Sequence, residues 1–251
     1  MKRRSVAALI VCLIGVLPAT SQQSTSPTET VISFYKELRS KRYVEGFKYS
    51  VYRGAVENLS PAELKELEPE FARTFSSIPE KIEPRGEKIL GDTASVILKF
   101  EGLDQPQEVA LIRVDDQWVV GDKDSLEMVR SQGPAFFFNT RMLVNEAEAF
   151  EMLSRIVGAE LIYSRKFEGR FATLNELIKL GGVPKDIGDE SGGYRIVLDL
   201  AADQKAFKTT ATPILYGKTG RLSFYADSSG VRGEDLKGRV ATASSPVYQP
   251  K

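Results

Sequence analysis

A Gly-Lys-Thr triplet at residues 217–219 is the stretch whose residue types come closest to a phosphate-binding loop. A P-loop also needs a glycine five residues before the glycine of the triplet, and Thr212 stands there instead. The triplet falls between two predicted strands, whereas a P-loop joins a strand to a helix. Residues 216–220 are therefore predicted to form a turn in which the glycines adopt positive φ.

Three acids close behind this turn are the candidate cation ligands: Asp227, Glu234 and Asp235. Carboxylate oxygens suit calcium, but the spacing of these acids is not that of an EF-hand loop. Acids at turns commonly accept hydrogen bonds from neighbouring backbone amides. The sequence therefore favours a turn without a bound metal, and calcium at these three residues is the alternative.

Histidine and cysteine, two residue types that enzymes often use for acid–base and nucleophilic chemistry, are nearly absent. The chain has no histidine, and Cys12 is its single cysteine. The commonest general base and the commonest transition-metal ligand are thus absent. We predict no catalytic residue and no cofactor. An isomerase- or hydrolase-like enzyme that uses carboxylates and tyrosine stays open, because burial can tune the pKa of a carboxyl group.

The N-terminus has the pattern of an export signal. Residues 2–4 are basic, residues 6–17 are apolar and residues 19–21 are small. The apolar stretch is shorter than the roughly 20 residues of a membrane-spanning helix. We predict a signal peptide at 1–21, a flexible mature start at 22–25, no stable membrane span after cleavage, and a secreted or periplasmic location. A retained membrane anchor is the alternative.

The overall charge gives no support for nucleic-acid binding. Lys and Arg total 34, and Asp and Glu also total 34. A protein that neutralises phosphates carries an excess of basic residues on its surface. We therefore predict no nucleic-acid partner, and expect an unknown protein partner or a small apolar ligand instead.

Residues 26–131 have the pattern of an α+β unit. Ser26-Pro27-Thr28-Glu29 and Ser60-Pro61-Ala62-Glu63 are capping boxes, each with proline at the first helical position. Apolar residues recur at helical spacing after both boxes. From residue 81 onward, short runs of β-formers separated by tight turns predict an antiparallel meander. We expect the helices to pack on one face of a curved sheet.

Residues 139–240 predict a second α+β unit, after a linker at 132–138 and before a flexible tail at 241–251. A long apolar stripe predicts a long helix, and a capping box that begins at Thr173 predicts a short one. Three strand candidates follow, at 193–198, 206–212 and 221–226. The fold class expected for the whole chain is therefore α+β, in two units.

Three stretches of the first unit carry a family resemblance: TETVISFYKELRSKRYVEGFKYS, EKILGDTASVILKF and VALIRVDDQWVVGD. They resemble the nuclear transport factor 2-like superfamily, the cone-shaped fold shared with ketosteroid isomerase, over residues 26–130. The resemblance implies a cone that can enclose a small ligand. The candidate lining residues are Tyr35, Tyr43, Tyr49 and Trp118, with Tyr52 beside them, and the sequence favours core packing as the alternative role for most of them. Family enzymes place an acid or a histidine in the cone with tyrosine support, and no such set maps onto this chain.

Three stretches of the second unit carry another resemblance: NEAEAFEMLSRIVGAELIYSRKFEGRFATLNEL, SGGYRIVLDL and ATPILYGKTGRLSFYADSSG. They resemble the globular domain of type IV pilins and pseudopilins over residues 139–235. The resemblance implies a long helix on a small antiparallel sheet. Pilins polymerise through an apolar half of the first helix, and here residues 136–138 are the apolar remnant. The resemblance therefore favours a pilin-like module over a pilus subunit.

These observations favour an exported, non-enzymatic binding or scaffolding protein of the bacterial cell envelope, with a small-molecule pocket in the first unit. Two other functions stay open. One is the carboxylate- and tyrosine-dependent enzyme, and the other is an accessory component of a pilus or secretion system.

Overall fold

The computed structural model describes residues 25–188 and 192–250. The predicted signal peptide at 1–21, and the predicted mature start apart from Thr25, lie outside the described residues. Within the described ranges, no helix combines the length and the apolarity needed to cross a bilayer.

The first half of the chain is helical and then forms a sheet. The helices are α1 (Pro27–Arg39), α2 (Tyr43–Phe47), α3 (Arg53–Val56) and α4 (Pro61–Thr74). The strands are β1 (Ile82–Leu90), β2 (Thr93–Phe100), β3 (Gln107–Val114) and β4 (Gln117–Val120). They pair antiparallel in the order β1-β2-β3-β4. The meander is thus confirmed.

The second half begins with α5 (Lys123–Gln132), a 3-10 turn (Gly133–Ala135) and the 31-residue helix α6 (Phe136–Lys166). After α7 (Leu174–Lys179) come β5 (Tyr194–Leu200), β6 (Phe207–Pro213), β7 (Ser223–Asp227) and β8 (Gly230–Glu234). These strands form a second antiparallel sheet in sequence order. Helices with two antiparallel sheets confirm the α+β class.

The capping boxes form as predicted. The Ser26 side chain accepts a hydrogen bond from the Glu29 backbone amide, and the Glu29 carboxylate accepts one from the Ser26 amide. The boxes that begin at Ser60 and Thr173 have the same reciprocal bonds. Because these bonds satisfy amide donors that a helix leaves unpaired at its start, the local sequence fixes where three helices begin.

The interior of the first unit is filled by side chains. Val31 of α1 is buried against Val96 and Leu98 of β2 and Trp118 of β4. A second cluster joins α1, α2 and α4 through Leu38, Phe47, Leu67 and other apolar residues. The two clusters together occupy the space between the helices and the sheet.

The predicted linker at 132–138 is wrong for its last three residues. Residues 136–138 form the first turn of α6, and the Phe136 side chain is buried against Ala55 and Val129. The Phe137 ring centroid lies 5.2 Å from that of Phe47. Adjacent aromatic side chains bury a large apolar area, so they are held in the core instead of being left in an open connection.

The predicted flexible tail is also wrong over its described part, 241–250. The Tyr248 amide donates to the Val231 carbonyl oxygen at 3.1 Å, and the Gly233 amide donates to Pro246 at 3.0 Å. The Tyr248 ring centroid lies 5.1 Å from that of Phe224. The tail therefore runs along β8 and covers its edge, which satisfies backbone groups that an edge strand leaves open.

Candidate functional site

A groove between α2 and α4 has a cavity volume of about 570 Å³. Its apolar lining is formed by Tyr43, Val44, Pro61, Leu64 and Phe71. The Tyr43 and Phe71 side chains are buried, with ring centroids 5.5 Å apart, so core packing fixes this part of the lining. Binding sites for small molecules are commonly concave, mostly apolar and of about this volume.

The turn from α1 into α2 shapes one edge of the groove. The Lys41 amide donates to the Leu38 carbonyl oxygen at 2.9 Å, and the Arg42 amide donates to the Glu37 carbonyl oxygen at 3.0 Å. These two bonds make a Schellman motif, whose left-handed position is usually glycine. Here Lys41 occupies that position with φ of 58°. A lysine is thus held at the groove in a conformation that costs free energy.

Lys41→Gly is expected to raise the free energy of unfolding by about 1 kcal/mol, because glycine adopts a left-handed conformation without a steric penalty. Thermal unfolding of the purified protein measures this change. Ser40→Gly is the matched control: Ser40 has φ of −76°, so glycine there only adds freedom to the unfolded chain and should destabilise. Equal melting temperatures for the two variants would refute strain at Lys41.

The charged side chains at the groove divide into paired and unpaired ones. The Arg42 guanidinium donates to both carboxylate oxygens of Glu37, with Nη2 2.8 Å from Oε1, and this bond lowers the pKa of Glu37. Lys48 Nζ lies 2.8 Å from both carboxylate oxygens of Glu45.

Three other charged side chains that line the groove are unpaired. Among the residues that the structure describes, the side chains of Lys41, Lys65 and Glu68 have no hydrogen-bond or ion-pair partner. Burial raises the pKa of the Tyr43 hydroxyl, and the nearby Glu68 carboxylate raises it further. The tyrosine is therefore neutral at ordinary pH, and two cations and one anion are free to meet a ligand.

The four aromatic residues predicted to line a cone do not converge on one cavity. Tyr43 lines the groove. Trp118 is buried in the cluster on the sheet, with the Arg113 guanidinium 4.7 Å from its ring centroid. The Tyr35 ring lies edge-on to Phe100 at 5.3 Å, and Tyr49 packs on the helical cluster. Their role as ligand contacts stays a prediction.

A second depression, of about 480 Å³, lies at the open end of the β1–β2 hairpin. Its three basic side chains are engaged by nearby acceptors. Lys81 Nζ lies 2.7 Å from Glu83 Oε1, and Arg85 Nη2 lies 2.6 Å from Glu83 Oε2. Lys99 Nζ donates to the Asp104 carbonyl oxygen at 2.8 Å. Within the described part of the chain, the unpaired charges of this depression are the Glu101 and Asp104 carboxylates and its apolar lining is small, whereas the groove combines an apolar lining with unpaired lysines.

The candidate calcium ligands do not gather. Asp227 pairs with Gly230 at the turn of the β7–β8 hairpin, whereas Glu234 pairs with Ser223 at the opposite end. Four residues at roughly 3.3 Å each separate these positions by about 13 Å. The Asp227 carboxylate instead accepts bonds from the Ser229 amide and hydroxyl. In the described parts of the chain, no cluster of three or more acids is arranged to hold a metal ion.

The Gly-Lys-Thr segment is a turn, as predicted, but one glycine serves a different purpose. Gly217 has φ of 76°, whereas Gly220 has no positive φ. A Cβ atom on Gly220 would lie 2.1 Å from the Tyr194 hydroxyl oxygen, so close approach requires glycine there. Lys218 Nζ lies 3.4 Å from Glu66 Oε2 on α4, so the turn contacts the first unit.

A buried acid on α6, Glu160, is the site feature that sequence reasoning missed. The residue has no exposed surface. Glu160 Oε2 accepts a hydrogen bond from the Ala172 amide at 2.8 Å, and Oε1 has no partner among the described residues. Burial raises the pKa of Glu160 to about 7, and the nearby Glu176 carboxylate acts in the same direction. Glu160 lies one helical turn after the buried Ile156, on the same face of α6. This helical spacing from an apolar residue was the signal in the sequence that could have predicted its burial.

Comparisons with known proteins give little further guidance. No protein-family model matches the chain, and no curated protein matches it. Among solved structures, one match is a Campylobacter jejuni protein provisionally described as an NTF2-like transpeptidase, with a crystal structure at 2.00 Å resolution. The match has 19% sequence identity and a TM-score of 0.28, and covers 39% of this chain and 100% of that chain.

That match covers less than half of this chain. At this TM-score it carries no argument about the fold, activity or ligand of the present chain. The pilin-like resemblance of residues 139–235 has no counterpart among the matches and stays a prediction. These comparisons assign the chain to no family.

Proposed function

We propose that this chain is an exported, non-enzymatic binding or scaffolding protein of the bacterial cell envelope, with the groove between α2 and α4 as its binding site. The observation that carries the binding role is the apolar lining with unpaired charges around it. A lining of this kind excludes water from an apolar ligand, and free charges supply orientation. The export pattern at residues 2–21 supports the location.

The chemistry of the groove supports binding rather than catalysis. Its ionisable groups are Tyr43, whose pKa is raised, together with lysine, arginine and glutamate side chains. General acid–base catalysis at neutral pH favours a group with a pKa near 7 that can reach the substrate. Glu160 has such a pKa, but its side chain is fully buried, away from the lining of the groove.

The packing of α6 supports a scaffolding module over a polymerising subunit. The aromatic side chains at the start of this helix are packed against α2, α3 and α4, with the Phe137 ring centroid 5.0 Å from that of Phe71. Assembly in the manner of a pilin would require an apolar helix surface free for neighbouring subunits. The start of α6 is occupied within the chain itself.

Native mass spectrometry of the protein purified from its own cell envelope is expected to show a stoichiometric small-molecule adduct. Leu64→Gln should remove the adduct, because it places a polar side chain on the apolar lining. Ile97→Gln is the matched control, since Ile97 is 41% exposed on the sheet and does not line the groove. A bare mass for the unaltered protein, or an adduct that survives Leu64→Gln, would contradict the groove as the binding site.

A further inference from the structure

We propose that the ligand of the groove is an anionic amphiphile, a single apolar chain that ends in a carboxylate. This inference rests on the proposed binding role and adds the chemical class of the ligand. It follows from the division of the groove into an apolar lining and a rim with unpaired lysines.

The apolar part of the ligand is indicated by the shape and chemistry of the lining. The groove is formed by the side chains of two neighbouring helices, and Tyr43 and Phe71 are held in place by core packing. Val44 and Leu64 add partly buried aliphatic surface. An apolar chain laid on this surface would remove it from water at about 25 cal/mol per Å² of apolar area.

The charge of the ligand is indicated by the charged side chains at the edge of the groove, some of which already have a partner of opposite charge within the protein. Arg42 is committed to Glu37, and Glu45 is committed to Lys48. Lys41 and Lys65 have no anionic partner among the described residues. A carboxylate at the rim would supply the missing partner, whereas a cationic head group would meet two unpaired positive charges.

The unpaired acid at the groove limits where the anionic end of the ligand can lie. Glu68 lies close enough to Tyr43 to raise the pKa of its hydroxyl. A carboxylate beside Glu68 would be repelled, so the anionic end of the ligand is expected beside a lysine of the rim.

The strained conformation of Lys41 supports the same assignment. Glycine would remove the cost of the left-handed conformation and keep the Schellman motif, but it would also remove the ammonium group. Backbone strain held by the surrounding structure is found preferentially at binding and active sites. The lysine therefore provides at the groove a charge that the fold alone does not need.

Competition with a fluorescent fatty acid, dansylaminoundecanoate, tests the ligand class on the ligand-free mature protein. The competitors are laurate, dodecanol and dodecyltrimethylammonium, which share a chain length and differ in head-group charge. All are used below their micellar concentrations. We expect laurate to bind most tightly and dodecyltrimethylammonium least. Lys41→Gln/Lys65→Gln should weaken laurate binding roughly tenfold and leave dodecanol binding unchanged.

The control is Lys88→Gln/Lys123→Gln, which removes the same net charge from exposed lysines that do not line the groove. It should leave laurate binding unchanged. Equal binding of laurate and dodecanol, or equal losses in the two double variants, would overturn the anionic class while the binding role stands. If no competitor binds but native mass spectrometry shows an adduct, the ligand class is wrong. Failure of both experiments would overturn the binding role as well.

Discussion

Glu160→Gln is expected to remove most of the pH dependence of stability between pH 5 and pH 8. The pKa of Glu160 is raised from 4.5 to about 7 in the folded protein, so the folded state binds a proton that the unfolded state has lost. The group therefore does not oppose folding below about pH 4.5, and folding becomes progressively less favourable as pH rises through 7. The shift corresponds to about 3 kcal/mol above pH 7.

The physical cause of this cost is the surroundings of the carboxyl group. Ala172, whose amide donates to this carboxylate, belongs to an apolar cluster with Ile156, Leu177, Val183 and Ile187. Burial is the largest cause of the raised pKa, and the one charged side chain that contributes to it is the like-charged Glu176. An ionised Glu160 thus has one bond from the Ala172 amide and no positive charge to compensate its lost hydration.

Urea unfolding at pH 5 and pH 8.5 measures the effect. Glutamine keeps an oxygen acceptor for the Ala172 amide but cannot ionise, so the variant should be within about 1 kcal/mol of the unaltered protein at pH 5 and more stable by about 3 kcal/mol at pH 8.5. The control is Glu151→Gln, an exposed acid on the same helix, which should change neither value by much. If the free energy of unfolding of Glu160→Gln depended on pH as strongly as that of the unaltered protein, ionisation of Glu160 would not be the cause of the lost stability at high pH.

Phe137→Ala is expected to lower the free energy of unfolding by about 3 kcal/mol. The Phe137 ring contacts the rings of Phe47, Tyr52 and Phe71, with centroid separations of 5.2, 5.9 and 5.0 Å. Alanine would remove those contacts and leave a cavity where α6 meets the helices of the first unit. Chemical unfolding followed by tyrosine fluorescence and by circular dichroism measures the loss.

Phe167→Ala is the matched control for this prediction. Phe167 follows the other end of α6, is 39% exposed and is stacked on Tyr163 at 4.2 Å. Its removal should cost clearly less than that of Phe137, because its ring stacks on Tyr163 at the surface and belongs to none of the buried apolar clusters of the described residues. Similar losses for Phe137→Ala and Phe167→Ala would mean that the first turn of α6 is not anchored in the first unit.

The elements with strong local signals were predictable, and those fixed by tertiary contacts were not. The capping residues set the starts of α1, α4 and α7, and Asp115 and Asp116, both at positive φ, form the hairpin turn between β3 and β4. By contrast, α5 buries only Val129 and so has no apolar stripe. The strand β8 has one aliphatic residue, Val231, and is held by pairing with β7 and the tail.

The groove could be predicted only in part, because tertiary contacts bring its lining residues together. The Tyr43 side chain was a candidate from its type, but its partners Leu64 and Phe71 lie on a helix that begins eighteen residues later. Whether Lys41 and Lys65 are paired depends on where Glu37 and Glu45 direct their side chains. The acid Glu160 was overlooked because charged residues on helices are usually solvated, although it continues the buried series Met142, Glu146, Ala149, Leu153 and Ile156.

The continuity of α6 limits how the protein can engage more than one partner. A helix of 31 residues is about 46 Å long, and its two ends are packed into different cores. Arg141, near its start, lies 2.9 Å from Glu66 and 2.7 Å from Glu70 of α4. Two modules joined by a flexible chain can search independently, and avidity then depends on the length of that chain. Here the continuous helix α6 fixes the distance between the two ends of the molecule. Two partners could therefore bind at the same time only if their own binding surfaces match that distance.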